Sequence, residues 1–239
     1  MCPSSGAYAT AVAVLVSVII PAFDAERYLA ESLESVLRQS NAPDEIIVVD
    51  DGSADGTERV VARFGGAVTY CRQSRSGAAA ARNHGTRLAT GSFLTFLDAD
   101  DTWEPTKLER QLAAFERDPD VDIVFGRVMQ FQSPDVVGSM RGRNDDRADA
   151  MDGYHPGTMM VSRPTFDAVG PFREDHEVGD FVDWYARAVE HGLNIQMLLD
   201  VVMHRRIHEN NMGRQNHDRR DGYARVLRTV IDRRRLAGS

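Results

Sequence analysis

Three short apolar runs constrain what this chain can fold into. Val16–Ile20, Glu45–Val49 and Phe93–Leu97 are each of strand length. Each stops at a turn that carries aspartate: Pro21-Ala22-Phe23-Asp24, Asp50-Asp51-Gly52-Ser53 and Asp98-Ala99-Asp100-Asp101. Between them the apolar spacing changes to a helical one, with Leu29, Leu33, Val36 and Leu37 on one face of Tyr28–Gln39. Further helices are predicted at Gly56–Phe64, with Thr57 as N-cap, at Ala78–Ala89 and at Thr106–Arg117, and short strands at Ala67–Tyr70 and Asp122–Phe125. Buried strands alternating with helices predict an α/β fold on a mostly parallel central sheet covered by helices on both faces. Ligands of such sheets bind beyond the carboxyl ends of the strands. The aspartates would therefore crowd one edge, where a divalent metal with a polyanionic ligand relieves their repulsion. Each turn alone is also ordinary turn and N-cap chemistry; their recurrence on successive strand ends is what points to function.

The second half is less regular. Gln132–Asp152 is polar and reads as a mobile loop. Met159–Val161 and Met197–Val202 are predicted strands, and Pro164–Val169 and Asp180–His191 predicted helices. Arg214–Arg235 carries Tyr223, Val226, Leu227 and Val230 at helical spacing. It reads as a solvated helix, a homodimer contact or a peripheral membrane anchor. No repeat or linker interrupts the chain, so residues 16–239 are expected to form one domain behind a flexible tail, 1–15.

Composition removes several function classes. A net charge of −8 argues against nucleic acid or an anionic membrane as the main partner. All but one of the 28 basic residues are Arg, and the single Lys107 follows Thr106, so no P-loop exists. No G-x-G-x-x-G occurs either. The longest apolar stretch, Ala11–Ile20, is too short to span a bilayer. Cys2 and Cys71 make no CxxC pair and no disulfide framework, which suits a reducing, cytoplasmic setting, with peripheral attachment at a membrane as the variant.

Val18-Ile19-Ile20-Pro21-Ala22-Phe23-Asp24, Val48-Val49-Asp50-Asp51-Gly52-Ser53, Gly77…Ala81-Arg82-Asn83…Gly85 and Phe96-Leu97-Asp98-Ala99-Asp100-Asp101, in this order and spacing, strongly resemble the family 2 glycosyltransferases of GT-A fold. The resemblance is close over about residues 16–130 and looser over 155–210. It implies a nucleotide-sugar-binding half, 16–130, and an acceptor-binding, catalytic half, 131–239. Pro21, Phe23 and Asp24 would then line the base pocket, and Asp51 would accept from a pyrimidine N3–H, favouring a UDP- or dTDP-sugar donor. Gly77 and Arg82 would lie along the nucleotide. The Asp98-Ala99-Asp100-Asp101 stretch looks like the family's DxD motif, with Asp98, Ala99 and Asp100 at the nucleotide and Asp100 and Asp101 on Mn2+ or Mg2+.

The family's general base resembles Asp180 in Gly179-Asp180-Phe181-Val182-Asp183-Trp184-Tyr185-Ala186-Arg187. The family usually shows Glu-Asp here, with one residue fewer before the Arg, which leaves Asp183 as a second candidate. Arg206-Ile207-His208 resembles a late Arg-x-His segment that would reach the diphosphate or the metal, whereas His204 and His208 read alone hint at zinc. Met159 and Met160 read either as core or as a border of the acceptor pocket. The expected activity is inverting, metal-dependent transfer of a sugar to an acceptor of unread identity. Two alternatives are a silent sugar-nucleotide-binding scaffold and a nucleotidyltransferase. The latter would show a glycine-rich basic loop where this chain has Pro21-Ala22-Phe23-Asp24-Ala25-Glu26.

Overall fold

The computed structural model describes residues 15–133, 150–176 and 178–209, with 222, 226, 228–233 and 235 near the C-terminus. Nearly all of the expected tail 1–15, residues 134–149 of the expected loop and most of the Arg-rich stretch 214–235 lie outside the described residues.

The first half alternates as its apolar runs predict: β1 (Val16–Ala22), α1 (Leu29–Leu37), β2 (Glu45–Asp50), α2 (Thr57–Ala62), β3 (Thr69–Arg72), α3 (Ala78–Leu88) and β4 (Phe93–Phe96). These strands pair in parallel in the order β3-β2-β1-β4. Side chains of β1 go to opposite faces by turns. Val16, Val18 and Ile20 pack with Leu29, Leu33 and Val36 of α1, while Ile19 packs with Ala81 of α3. With both faces covered, the strand is apolar throughout. Helix α3 comes so close that a Cβ on Gly85 would stand 2.4 Å from Ile19 Cγ2.

The chain continues through β5 (Thr102–Trp103), α4 (Lys107–Arg117), β6 (Ile123–Gln132), β7 (Met151–Asp152), β8 (Met160–Ser162), α5 (Arg163–Val169), α6 (Asp180–Glu190) and β9 (Ile195–Ile207). The nine-stranded sheet runs on from β4 as β8-β6-β9-β5, with β7 beside β6. Strand β8 is antiparallel to β4 and β6, whereas β6 and β9 are parallel. The parallel order thus holds in the first half and becomes mixed beyond β4.

Several boundaries differ from expectation. Strand β3 starts at Thr69 because Gly65, at φ +54°, opens a 3₁₀ turn over Gly65–Ala67. Gly56 takes the cap position of α2, and Thr57 Oγ1 instead accepts from Ala25 N. Strands β6 and β9 outrun their predicted ends and pair as far as Gln132 and Ile207. A register shift between Phe125 and Val128 breaks the alternation that a sequence reading follows.

Two consequences matter for function. The carboxyl ends of β2, β1 and β4 stand side by side, which gathers their three turns along one edge. Beyond β4, a buried polar cluster fixes the residues that lead into β8. Lys107 Nζ, fully buried, donates to Thr95 Oγ1 at 2.8 Å and Gln111 Oε1 at 2.7 Å. Burial holds that amine well below the ordinary lysine range. The carbonyls of Gly157, Thr158 and Met159 accept in turn from Trp103 Nε1, Gln111 Nε2 and Thr95 Oγ1 at 2.8, 2.7 and 2.6 Å. Among the described residues, no helix is long and apolar enough to cross a membrane.

Candidate active site

The turns after β1 and β2 clip each other. Asp24 adopts φ +45°, a left-handed conformation that aspartate tolerates better than most residues. Its N–H donates to Ser53 Oγ at 2.9 Å, and its Oδ1 accepts from Ala54 N at 2.8 Å. Asp50 is fully buried and structural, accepting from Ser53 N and from the Tyr70 hydroxyl. Burial and that bond to Asp50 push the Tyr70 phenol up to about 12.

Asp51 ties residues 73–77 to the end of β2. Its Oδ1 accepts from Gln73 Nε2 and Ser76 N, and its Oδ2 from Gly77 N, each at 2.8 Å. Oδ2 receives one bond where a carboxylate oxygen has room for two, so an acceptor position remains. Gly77 sits at φ +94°, where any side chain would be strained. Pro21 is buried within β1, while the Phe23 ring is 39% exposed with the Arg75 guanidinium 4.0 Å from its centroid. Arg75 and Gln73 escaped the sequence reading because neither belongs to a motif.

The turn after β4 is held from several sides. Ser32 Oγ donates to the carbonyls of Ala99 and Asp101. Arg82, buried in α3, donates from Nη2 to Asp98 Oδ1 at 2.8 Å and from Nη1 to Asp180 Oδ2 at 2.7 Å. The residue expected along the nucleotide is thus a bridge between two carboxylates. Burial pushes Asp98 up, but the Arg82 guanidinium overcomes it and holds the carboxyl below the ordinary aspartate range.

Arg206, expected at the diphosphate, is itself buried. Its guanidinium lies 4.6 Å from the ring centroids of both Tyr28 and Phe131, its Nη2 pairs with Glu31, and its Nε donates to the Asp100 carbonyl. It buttresses the turn from behind. His208 Nε2 lies 2.9 Å from Asp100 Oδ2, and His204 pairs with Glu104. Neither histidine enters a three-residue ligand cluster among the described residues, which leaves the zinc reading without geometry.

The cluster that does form is Asp98, Asp101 and His155, whose ligand-type atoms all lie within 4.8 Å of one another. Asp101 is only 2% exposed and accepts from Arg206 N at 2.9 Å. Burial, then Asp100 and Asp98, push its pKa well above the ordinary value. A buried carboxylate beside two others fits a hard divalent ion such as Mg2+ or Mn2+. His155 was missing from the sequence reading because it stands in no motif. Burial holds its imidazole below the usual histidine value.

Helix α6 supplies the remaining carboxylates. Gly179 precedes it at φ +80°, which explains why glycine stands where the resemblance expects Glu. Asp180 is its first residue, at the positive end of the helix dipole. Asp183 is fully buried, accepting from Arg187 Nε at Oδ2 and Arg233 Nη1 at Oδ1, both at 2.9 Å. Burial pushes Asp183 up, yet the bonds from Arg233 and Arg187 win and hold it below the ordinary aspartate range. The extra residue before Arg187 places it four after Asp183, the spacing of a helical ion pair. Of the two candidates, Asp180 is the one bonded through Arg82 to Asp98. Met159 and Met160 are fully buried in the core.

Residues 17–222 match the family described as glycosyl transferase family 2. The chain belongs to this family. WfgD of Escherichia coli, named a UDP-Glc:alpha-D-GlcNAc-diphosphoundecaprenol beta-1,3-glucosyltransferase, is 35% identical over 126 residues, 52% of this chain and 49% of WfgD. TuaG of Bacillus subtilis, named for teichuronic acid biosynthesis, is 43% identical over 103 residues, 41% of this chain and 40% of TuaG. The matches thus span about half or less of these relatives. S. aureus TarS 1-349, solved with UDP-GlcNAc, superposes with a TM-score of 0.70 at 23% identity, over 90% of this chain and 65% of that one. Mannosyltransferase PcManGT from Pyrobaculum calidifontis, solved with GDP-Man and Mn2+, gives 0.66 at 24%, over 91% and 63%. At such identities these two likenesses show the fold alone, the family 2 GT-A architecture.

Proposed function

We propose that this family 2 chain transfers a sugar from a nucleotide-sugar donor to an acceptor hydroxyl with inversion, in one displacement at the anomeric carbon. The observation that carries the reading is the Arg82 bridge, which sets Asp180 beside the aspartate turn after β4. On this reading the residues before about 130 bind the donor and those after it the acceptor. A pyrimidine ring lies against Phe23 and Arg75, with its N3–H on the free lone pair of Asp51 Oδ2; UDP- and dTDP-sugars satisfy that contact. Asp98 and Asp101 would hold Mn2+ or Mg2+ with the diphosphate, and the ion supplies neutralisation of charge on the departing nucleoside diphosphate. Asp180 accepts the acceptor hydroxyl's proton on the face opposite the leaving group. Arg82 keeps that carboxylate oriented, and Arg206 and His208 hold the aspartate turn in shape.

Incubation with UDP-glucose, UDP-GlcNAc, dTDP-glucose and GDP-mannose in Mn2+ is expected to release nucleoside diphosphate from a pyrimidine donor only. Proton NMR of the freed or transferred sugar should show the anomeric configuration inverted. Retention, or binding with no release from any donor at high enzyme concentration, contradicts the proposal; the second outcome favours a silent scaffold. Glycans and lipid-carried sugars, the substrates suggested by the names of WfgD and TuaG, are the first acceptors to screen.

A further inference from the structure

The metal-like cluster contains a contradiction that the histidine itself resolves. His155 Nδ1 accepts a hydrogen bond from Gly157 N at 3.1 Å and thereby caps the 3₁₀ turn Pro156–Thr158. A ring nitrogen that accepts from an N–H carries no proton, so the neutral ring bears its hydrogen on Nε2. Metal-ligating histidines show the reverse arrangement, with the second ring nitrogen donating outward. An ion on Nε2 would force a proton onto Nδ1, facing the Gly157 N–H.

The turn has little freedom to escape this. The carbonyls of Gly157, Thr158 and Met159 are each fixed by a buried side chain. A Cβ on Gly157 would stand 2.3 Å from Met203 Sδ, so the backbone is already packed against β9. The Nε2–H therefore points into the site as a donor. It lies 3.6 Å from Asp98 Oδ2, beyond the usual 2.7–3.2 Å of an N–H···O bond. Nε2–H donates and Oδ2 accepts, so a single hydroxyl lying beside the pair can accept from the one and donate to the other. A bare anionic oxygen would meet the Asp98 carboxylate with like charge.

We infer that His155 is a substrate-reading donor rather than a metal ligand, and that with Asp98 it recognises one hydroxyl of the transferred sugar. The inference rests on the donor-site reading above. His155→Asn tests it, since an Asn side chain can still accept from Gly157 N while losing the reach of Nε2. Mn2+ binding is followed by electron paramagnetic resonance, and binding of UDP, UDP-glucose and UDP-GlcNAc in Mn2+ by calorimetry. The wild type, His155→Asn and Asp101→Asn are compared.

His155→Asn is expected to keep Mn2+ and UDP affinity within about twofold and to lose about tenfold for the UDP-sugar that binds best. Equal losses for UDP and UDP-sugar, no loss at all, or Mn2+ binding that falls as in Asp101→Asn would each overturn the assignment. Mn2+ binding untouched by Asp101→Asn, or a wild type that binds no UDP-sugar, would instead remove the underlying donor-site reading. Long-range proton–nitrogen NMR of the wild-type histidines reads the tautomer without any substitution. The Nε2–H form is required, and an Nδ1–H form for His155 overturns the inference.

Discussion

Asp180→Asn is expected to lower turnover by about 10²-fold or more, with Mn2+-dependent nucleotide binding left intact. The substitution is nearly isosteric, and the amide oxygen can still accept from Arg82 Nη1, so the bridge to Asp98 survives. What disappears is the ability to take a proton, and general-base catalysis contributes about 10²–10⁴-fold. Steady-state donor turnover and calorimetry on the same preparation separate the two effects.

Asp183→Asn should behave in the opposite way. Its carboxylate is fully buried between Arg187 and Arg233; Asn loses the charge of both pairs while Arg233 keeps Glu190 and Arg187 keeps the carbonyls of Val169 and Pro171, so the expected cost is about 1–3 kcal/mol of stability, seen in a denaturation midpoint. Turnover per folded molecule should hold. Normal turnover in Asp180→Asn together with loss in Asp183→Asn would transfer the base assignment to Asp183.

Asp101→Asn is expected to abolish the response to Mn2+ without weakening the metal-free protein at neutral pH. Asp101 is buried beside Asp98 and Asp100, and its pKa is raised. An acid raised on folding stabilises the fold fully below its unfolded value. That contribution is lost as pH climbs through the raised value. At neutral pH the buried carboxyl is therefore a cost unless a cation answers it. Asn removes the charge while its amide oxygen can accept from Arg206 N as before. Thermal melts at pH 7 should place the metal-free variant at or above the wild type. Added Mn2+ with UDP should raise the wild type only. A variant that melts lower and still responds to Mn2+ would show that Asp101 is structural and that the ion binds elsewhere.

The first half was legible because its signals are local. An apolar run buried on both faces, followed by an aspartate turn, can be read without knowing what lies opposite, and β1, β2 and β4 appear where those runs stand. Gly77 and Gly179 were readable as glycines, but their positive φ values could be learned only from the folded backbone. The mixed second half was less legible. Strands β5 and β7 have two residues each, too few for periodicity to register, and the β6–β9 pairing carries a register shift.

Among the site residues, the partnerships were hidden rather than the residues. Arg82 reads as a cation near a nucleotide until Asp98 and Asp180, 16 and 98 positions away, are seen to share it. Arg206 reads as a group reaching the diphosphate or the metal, and its contacts with Tyr28, Phe131 and Glu31 are seen only in the fold. His155 carried no signal at all, because its meaning comes from a backbone N–H two residues on and a carboxylate 57 residues earlier.

The proposed mechanism rests on a metal-dependent pyrimidine-nucleotide site at the ends of β1, β2 and β4. Thermal melts with UDP, dTDP, GDP, CMP and ATP, each with and without Mn2+, test it most directly. A ligand at 100 times its dissociation constant adds about 2.7 kcal/mol, roughly 5–10 °C for a domain of this size. Such a shift is expected with UDP or dTDP only when Mn2+ is present. No shift with any nucleotide, or one of equal size with ATP or without Mn2+, would contradict it.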